Sequence, residues 1–263
     1  HCTVEGRDLS NRDLSGANLS GANLYGANLD NTDLSGADLS YTVLYKATLA
    51  NTDFTHANLS YTNMCGATNP VVKIDWPGGT YHELKYLTFD FTGTDMSYAD
   101  FDHAQIQHAI LTDAIVKHTN FHDANLEGVD LSYKDLTGTV LTEADLTGAN
   151  LSGVDLSGKD LTGTILNGAD LSNKDLTGTI LTGADLTDAN LAGVNLAYKD
   201  LTETILTGAD LTGAVLPSGY LSGKNFQGTI FDGVNLSGKD LSFSNFHYAT
   251  FGNTNLEGAN LKQ

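Results

Sequence analysis

Proline is nearly absent, with three residues (Pro70, Pro77 and Pro217) in a chain of 263. That scarcity excludes a collagen-like or proline-rich extended chain. Cysteine is scarcer still: Cys2 and Cys65 are the only two. A small scaffold stapled by many disulfides is therefore excluded. Basic residues are few, 13 against 32 acidic ones, for a formal net charge of −19. Such a chain cannot grip nucleic acid directly by displacing counterions from its phosphates. No apolar run approaches the roughly 18 residues that a membrane-spanning helix needs. There is no glycine-rich phosphate loop after a strand, no G-x-S-x-G and no C-x-x-C. No catalytic pair of carboxylates stands out, because aspartate recurs throughout. The sequence is read as non-enzymatic, with no cofactor and no metal site.

What is present is periodic. An apolar residue returns every fifth position: Leu9, Leu14, Leu19, Leu24, Leu29, Leu34, Leu39, Leu44, Leu49, Phe54, Leu59 and Met64. The series resumes at Met96, Phe101, Ile106, Leu111, Val116 and Phe121, and continues to Leu256 and Leu261. On an α-helix, five residues advance about 500°, so each leucine would land about 140° round from the last and no face would be apolar. On a flat strand, the leucines would alternate faces. The spacing makes sense if the chain turns a corner every five residues. Four corners then close a square coil of twenty.

A longer repeat agrees with that count. Residues 131–170 and 171–210 align without gaps and match at 30 of 40 positions. Two whole coils can be duplicated without moving any residue to another side.

The five-residue unit reads A(D/N)L(S/T)G, as in Ala17-Asn18-Leu19-Ser20-Gly21 and Ala209-Asp210-Leu211-Thr212-Gly213. Departures are mild; Ala184-Asp185-Leu186-Thr187-Asp188 ends in aspartate. This strongly resembles the pentapeptide-repeat family over nearly the whole chain. The resemblance implies an all-β fold, a right-handed quadrilateral β-solenoid. Its central Leu/Phe and the small residue two before it face inward, and the other three positions face out. The 28 glycines suit repeated corners with unusual backbone angles. At about 4.8 Å per rung, roughly thirteen coils would make a rod about 60 Å long.

The register breaks once, after Met64. The organisation expected is a solenoid over 1–66, an irregular insertion over 67–90, and a solenoid over 91–263 in the same rod. Inside the insertion, two β-rich runs flank Pro77-Gly78-Gly79, which reads as a projecting hairpin carrying Trp76, Gly78, Gly79 and Tyr81. A distorted coil is the alternative, because Val71, Trp76, Tyr81, Tyr86 and Phe91 keep the five-residue spacing. Against it, Ile74, Leu84 and Phe89 look too large for the small inner position. A projecting hairpin is the expected contact for a protein partner.

Lysine occupies the small inner position at Lys134, Lys159, Lys174, Lys199, Lys224 and Lys239, and arginine does so at Arg7 and Arg12. A bare ammonium inside a leucine column is costly. Five of these lysines are followed five residues on by Thr139, Thr164, Thr179, Thr204 or Thr229, and the sixth by Ser244. One reading is a buried amine donating to that hydroxyl, with a lowered pKa. The other is a side chain that bends out at the corner.

The histidines His103, His108, His118 and His122 cluster in an irregular stretch; His103 and His122 are nearly one coil apart. They read as solvated surface residues. Cys2 and Cys65 lie about three coils apart, on the order of 14 Å along the axis. An intrachain disulfide would need one of them to leave the rod; an intermolecular bond and two free thiols remain open. The sequons at Asn18, Asn58, Asn150 and Asn235 follow from the A-N-L-S motif and say little about compartment. The start at His1 fits a removed signal peptide or a trimmed chain.

Three function classes follow. The first is a structural rod stacking head to tail with itself as an extracellular or cell-surface fibre, with Cys2, Leu9, Leu256 and Leu261 at the junction. The second is a partner-binding protein: the resemblance implies that some family members mimic DNA and act on type II topoisomerases. The third is a water- or ice-organising threonine ladder built from Thr142, Thr162, Thr182 and Thr202. Neither membrane insertion nor direct nucleic-acid binding is expected.

Overall fold

The computed structural model describes residues 6–65 and 89–262. Two compact units divide the chain: one holds His1–Asp130 with Lys134–Thr139, the other Leu131–Tyr133 with Val140–Gln263.

Within each unit the same five-residue arrangement recurs, and its chemistry explains the motif. Where an Asp or Asn precedes the central residue, its Oδ1 typically accepts from the amide two positions on, as Asp33 does from Ser35 at 2.9 Å. That Asx turn starts the bend. A backbone bond three residues back then closes it, as from the Ala37 amide to the Leu34 carbonyl at 3.0 Å. The third residue of the turn has positive φ, which is +64° at Gly36, and glycine adopts it without strain. The small inner residue completes the unit. Where it is threonine, its hydroxyl donates to a backbone carbonyl 23 residues earlier, as from Thr32 to Leu9 at 3.0 Å.

Successive coils pair through single-residue parallel bridges twenty apart. Asp13 pairs with Asp33 and Asp33 with Asp53 in the first unit, and Ile165 with Asp185 and Asp185 with Ile205 in the second. Twenty residues at five per side make each coil four-sided. Leu24, Leu29, Leu34, Leu39 and Leu44 have no exposed surface, and neither do Leu146 and Leu186. Their side chains stack as the apolar column that the period predicts. Among the first central residues, Leu9, Leu14 and Leu19 are half-buried. Phe246, Phe251 and Leu256 are also half-buried, and Leu261 is 48% exposed.

The break in register takes a defined form. Asp53 pairs with Asp90, Asn58 with Asp95 and Asn63 with Asp100, each thirty-seven residues apart. The stack of coils therefore continues across the insertion with its pairing intact. Thr94 donates to the Phe54 carbonyl at 2.8 Å across this gap, the bond Thr32 makes to Leu9 elsewhere. Phe89 corrects one expectation. It occupies the small inner position yet is 1% exposed, packed on Phe91 at a ring-centroid separation of 5.6 Å. Phe54 and Phe101 also flank Phe91, so an aromatic layer absorbs the extra volume. Phe89 and Asp90 already lie on the repeat's register, ahead of the expected restart at 91. Trp76, Gly78, Gly79 and Tyr81, with the hairpin expected around them, lie outside the described residues, as does Cys2.

Candidate functional site

The six lysines at the inner position are half-buried or buried, and Lys199 is the most enclosed at 9% exposure. For Lys134, Lys174, Lys199, Lys224 and Lys239 the amine meets a backbone carbonyl, where one of the two readings placed a neighbouring hydroxyl. Lys199 Nζ donates to the Thr179 carbonyl at 2.7 Å, Lys134 to Ala114 at 3.0 Å and Lys174 to Val154 at 3.2 Å. Lys224 donates to the carbonyls of Thr204 and Leu201, and Lys239 to those of Leu216 and Pro217. Lys159 is also engaged. The hydroxyls proposed as acceptors act as donors: those of Thr139, Thr164, Thr179, Thr204, Thr229 and Ser244 all reach backbone carbonyls 23 residues earlier. A long side chain at this position thus reaches back one coil and caps a carbonyl at the wall. Burial pushes Lys134, Lys199 and Lys224 below the ordinary lysine pKa, against the pull of nearby carboxylates. Arg7 and Arg12, in the first coil, are exposed.

A cavity of about 340 Å³ opens beside two of these lysines, lined by Lys174, Lys199, Asp175, Asn195 and the almost fully exposed Tyr198, among others. Both amines are already directed at backbone carbonyls.

One side of the first unit is acidic. Asp13, Asp33, Asp53 and Asp90 bridge in succession, which sets four carboxylates at intervals of about 4.8 Å. Each is anchored by the amide two residues on, from Ser15, Ser35, Thr55 and Thr92. The Ser15 hydroxyl, then its amide, hold Asp13 below the usual carboxylate range. Arg12 is the single lysine or arginine on the corresponding segments.

An aromatic ladder accompanies it that the sequence reading missed. Tyr41, Tyr61, Tyr98 and His118 stack at one corner, with centroids 4.7, 4.9 and 4.6 Å apart and planes within 5° of parallel. All four residues have positive φ. The signal was in the sequence: Tyr41 and Tyr61 are twenty apart, and Tyr98 follows after the thirty-seven-residue offset. The His118 ring covers Gly138, where a methyl group would collide with it. Glycine there makes room for the imidazole as well as taking the turn.

In the second unit, Thr162, Thr182 and Thr202 stack at rung spacing, since Gly163 and Gly183 donate to the carbonyls of Thr182 and Thr202. Thr162 spends its hydroxyl on Asp160 at 2.6 Å. Thr142 is engaged as well, so the ladder is not a free hydroxyl array.

Histidine and thiol chemistry collects at one edge of the first unit. His103 Nδ1 lies 2.5 Å from Asp123 Oδ2, and its Nε2 lies 3.5 Å from Asp102 Oδ2. The His122 ring stands edge-on, 6.0 Å from His103. Cys65 is a free, half-buried thiol whose Sγ lies 3.9 Å from Asp102 Oδ2. Burial, then Asp102 and Asp100, raise its pKa. Among the described residues, Asp102 Oδ1 is buried without a hydrogen-bond partner. His103 is an exposed surface residue, as expected, and is in addition paired with Asp123. As the side chains stand, no three metal-ligating groups among the described residues surround a common cation position.

Coils with polar columns outside and a leucine column inside, repeated in each unit, define a β-solenoid repeat protein. The profile described as pentapeptide repeats matches in eight copies, at 8–40, 33–68, 89–115, 119–158, 160–193, 184–223, 209–242 and 225–263. The chain belongs to the pentapeptide-repeat family. Among solved structures it is similar to a trypsin-treated form of QnrB1, a plasmid-mediated fluoroquinolone resistance protein, at 20% identity and TM-score 0.39 over 75% of this chain and 87% of that one. It is also similar to HetL, a pentapeptide repeat protein involved in heterocyst differentiation regulation in the cyanobacterium Nostoc, at 24% identity and TM-score 0.18 over 98% and 89%. A pentapeptide repeat protein of the Arabidopsis thaliana thylakoid lumen aligns at 19% identity and TM-score 0.24 over 48% of this chain and 68% of that one. No curated protein matches the chain.

Proposed function

We propose that this protein is a non-enzymatic scaffold that binds a basic protein surface through the carboxylate column Asp13–Asp33–Asp53–Asp90. The regular bridging of those four aspartates is the observation that carries the reading. A rigid row of like charges at rung spacing favours a partner with a complementary positive groove. The net charge of −19 adds long-range attraction to such a partner. Proteins that normally hold nucleic acid offer such grooves, and type II topoisomerases are the first class to test. The solenoid is taken as right-handed, with about thirteen coils at the family's twenty residues per turn. Supercoiling by a type II topoisomerase should be inhibited by the protein and relieved when all four aspartates become asparagine. Equal inhibition by both forms, or none by either, would refute the reading.

A second proposal is that the protein stacks head to tail into thin fibres, on the surface of a cell or outside it. Residues 67–90 are proposed as a further contact for a protein partner. Electron microscopy of the concentrated protein separates fibres from discrete particles.

A further inference from the structure

We propose that Cys65, Asp102 and His103, with His122 on the following coil, form a binding site for one borderline divalent cation of the zinc class. The solenoid assembles the set. Cys65, Asp102 and His122 each follow a central residue (Met64, Phe101, Phe121) on the same side of successive coils, because Asn63 bridges Asp100 and Asp100 bridges Asn120. His103 stands at the adjoining corner with φ of +55°.

Four observations converge. The first is separation. Zinc–ligand bonds of about 2.0–2.3 Å at tetrahedral angles place ligand atoms about 3.3–3.6 Å apart. The 3.5 Å from His103 Nε2 to Asp102 Oδ2 already matches, and the 3.9 Å from Cys65 Sγ to the same oxygen is slightly long. The second is orientation. A metal-bound histidine typically donates its other ring N–H to a carboxylate, which fixes the tautomer. Asp123 does this at His103 Nδ1, 2.5 Å away, leaving Nε2 on the side of Asp102 Oδ2, 3.5 Å away. The third is an unmet demand. Among the described residues, Asp102 Oδ1 is buried with no donor, and Oδ2 makes long contacts to His103 and Cys65, a demand that a cation would meet. The fourth is ligand type. One thiol, two imidazoles and a carboxylate suit zinc or cobalt rather than calcium or magnesium.

The side chains do not yet meet at one point. Closing the set needs a rotation of the Cys65 and His122 side chains, both on the outer wall. Binding releases the Cys65 thiol proton to solvent as the metal–sulfur bond forms. The cation also reverses the local preference of the crowded carboxylates for a protonated thiol.

The test uses the full chain, stripped with chelator and titrated with Co²⁺. The expected result is one equivalent bound with a thiolate-to-cobalt charge-transfer band. The band should survive Cys2→Ser and His247→Gln and vanish in Cys65→Ser. Asp123→Asn, which touches only the outer nitrogen of His103, should weaken binding roughly 10–100-fold. As a readout on the unaltered protein, Zn²⁺ should protect Cys65 from alkylation, located by peptide mass. Absence of the band, its persistence in Cys65→Ser, or unprotected Cys65 at saturating Zn²⁺ would overturn the proposal.

Discussion

Replacing Thr164 by valine isolates one component of the wall. Thr164 is fully buried and its hydroxyl donates to the Leu141 carbonyl at 2.9 Å. Valine keeps the branched shape and removes only the donor. The Leu141 carbonyl still accepts the Ala144 amide at 3.2 Å, so it is not orphaned. The loss should therefore be that of an ordinary hydrogen bond, about 0.5–1.5 kcal/mol, rather than that of a stranded carbonyl. Leu161→Ala, one turn away, removes a fully buried core side chain and should cost roughly 2–5 kcal/mol. Urea unfolding followed by far-ultraviolet circular dichroism measures both. The valine variant should lower the midpoint at unchanged slope, by clearly less than the alanine variant. A neutral or stabilised Thr164→Val would refute the view that these hydroxyls fasten one coil to the next. A cost equal to that of Leu161→Ala would show that the threonine matters through packing instead.

Lys199→Met keeps the stem but leaves the Thr179 carbonyl without the amine that now caps it; it should cost about 1–3 kcal/mol, and a gain in urea resistance would contradict that bond's role. Because burial lowers the folded pKa of Lys134, Lys199 and Lys224, the unfolded chain binds more protons just below the ordinary value of 10.5. Their contribution to stability should rise as pH climbs through the lowered folded values toward 10.5, and the Met variants should flatten that rise. Asp13, Asp170 and Asp240 are also shifted down, chiefly by the hydroxyl two residues on. Their stabilisation should be complete above the ordinary carboxylate pKa of 3.8 and fade as pH falls through the lower folded values, which urea midpoints across that range would show. Gly138→Ala should destabilise the corner, because the new methyl meets the His118 ring; His118→Ala in the same chain should restore part of the loss.

The periodic core was legible because one repeat dictates it: a leucine every fifth residue admits no ordinary helix or strand, and Leu146 and Leu186 are buried as that period requires. Three members of the carboxylate column, Asp13, Asp33 and Asp53, could be read too, once twenty residues per coil is granted; Asp90 joins them only through the offset across the insertion. Other features hid behind backbone atoms. The lysines sit where the spacing placed them, but their acceptors are main-chain carbonyls, which leave no trace in the residue pattern. Phe89 looked too large because size was judged alone, without the aromatic neighbours Phe91, Phe54 and Phe101 that form its layer. Cys65 and Asp102 lie thirty-seven apart in sequence, so their meeting shows only when the offset across the insertion is known.

That offset is the account's central structural claim, and a disulfide trap tests it. In a chain carrying Cys2→Ser and Cys65→Ser, the pair Asp53→Cys and Asp90→Cys should oxidise readily. Their backbones bridge in adjacent coils, within the roughly 4.4–6.8 Å between Cα atoms that a disulfide spans. An unbroken twenty-residue register would instead favour pairing Asp53→Cys with Lys73→Cys. Efficient closure of the 53–90 pair with failure of the 53–73 pair is the predicted result, and the reverse would contradict the account.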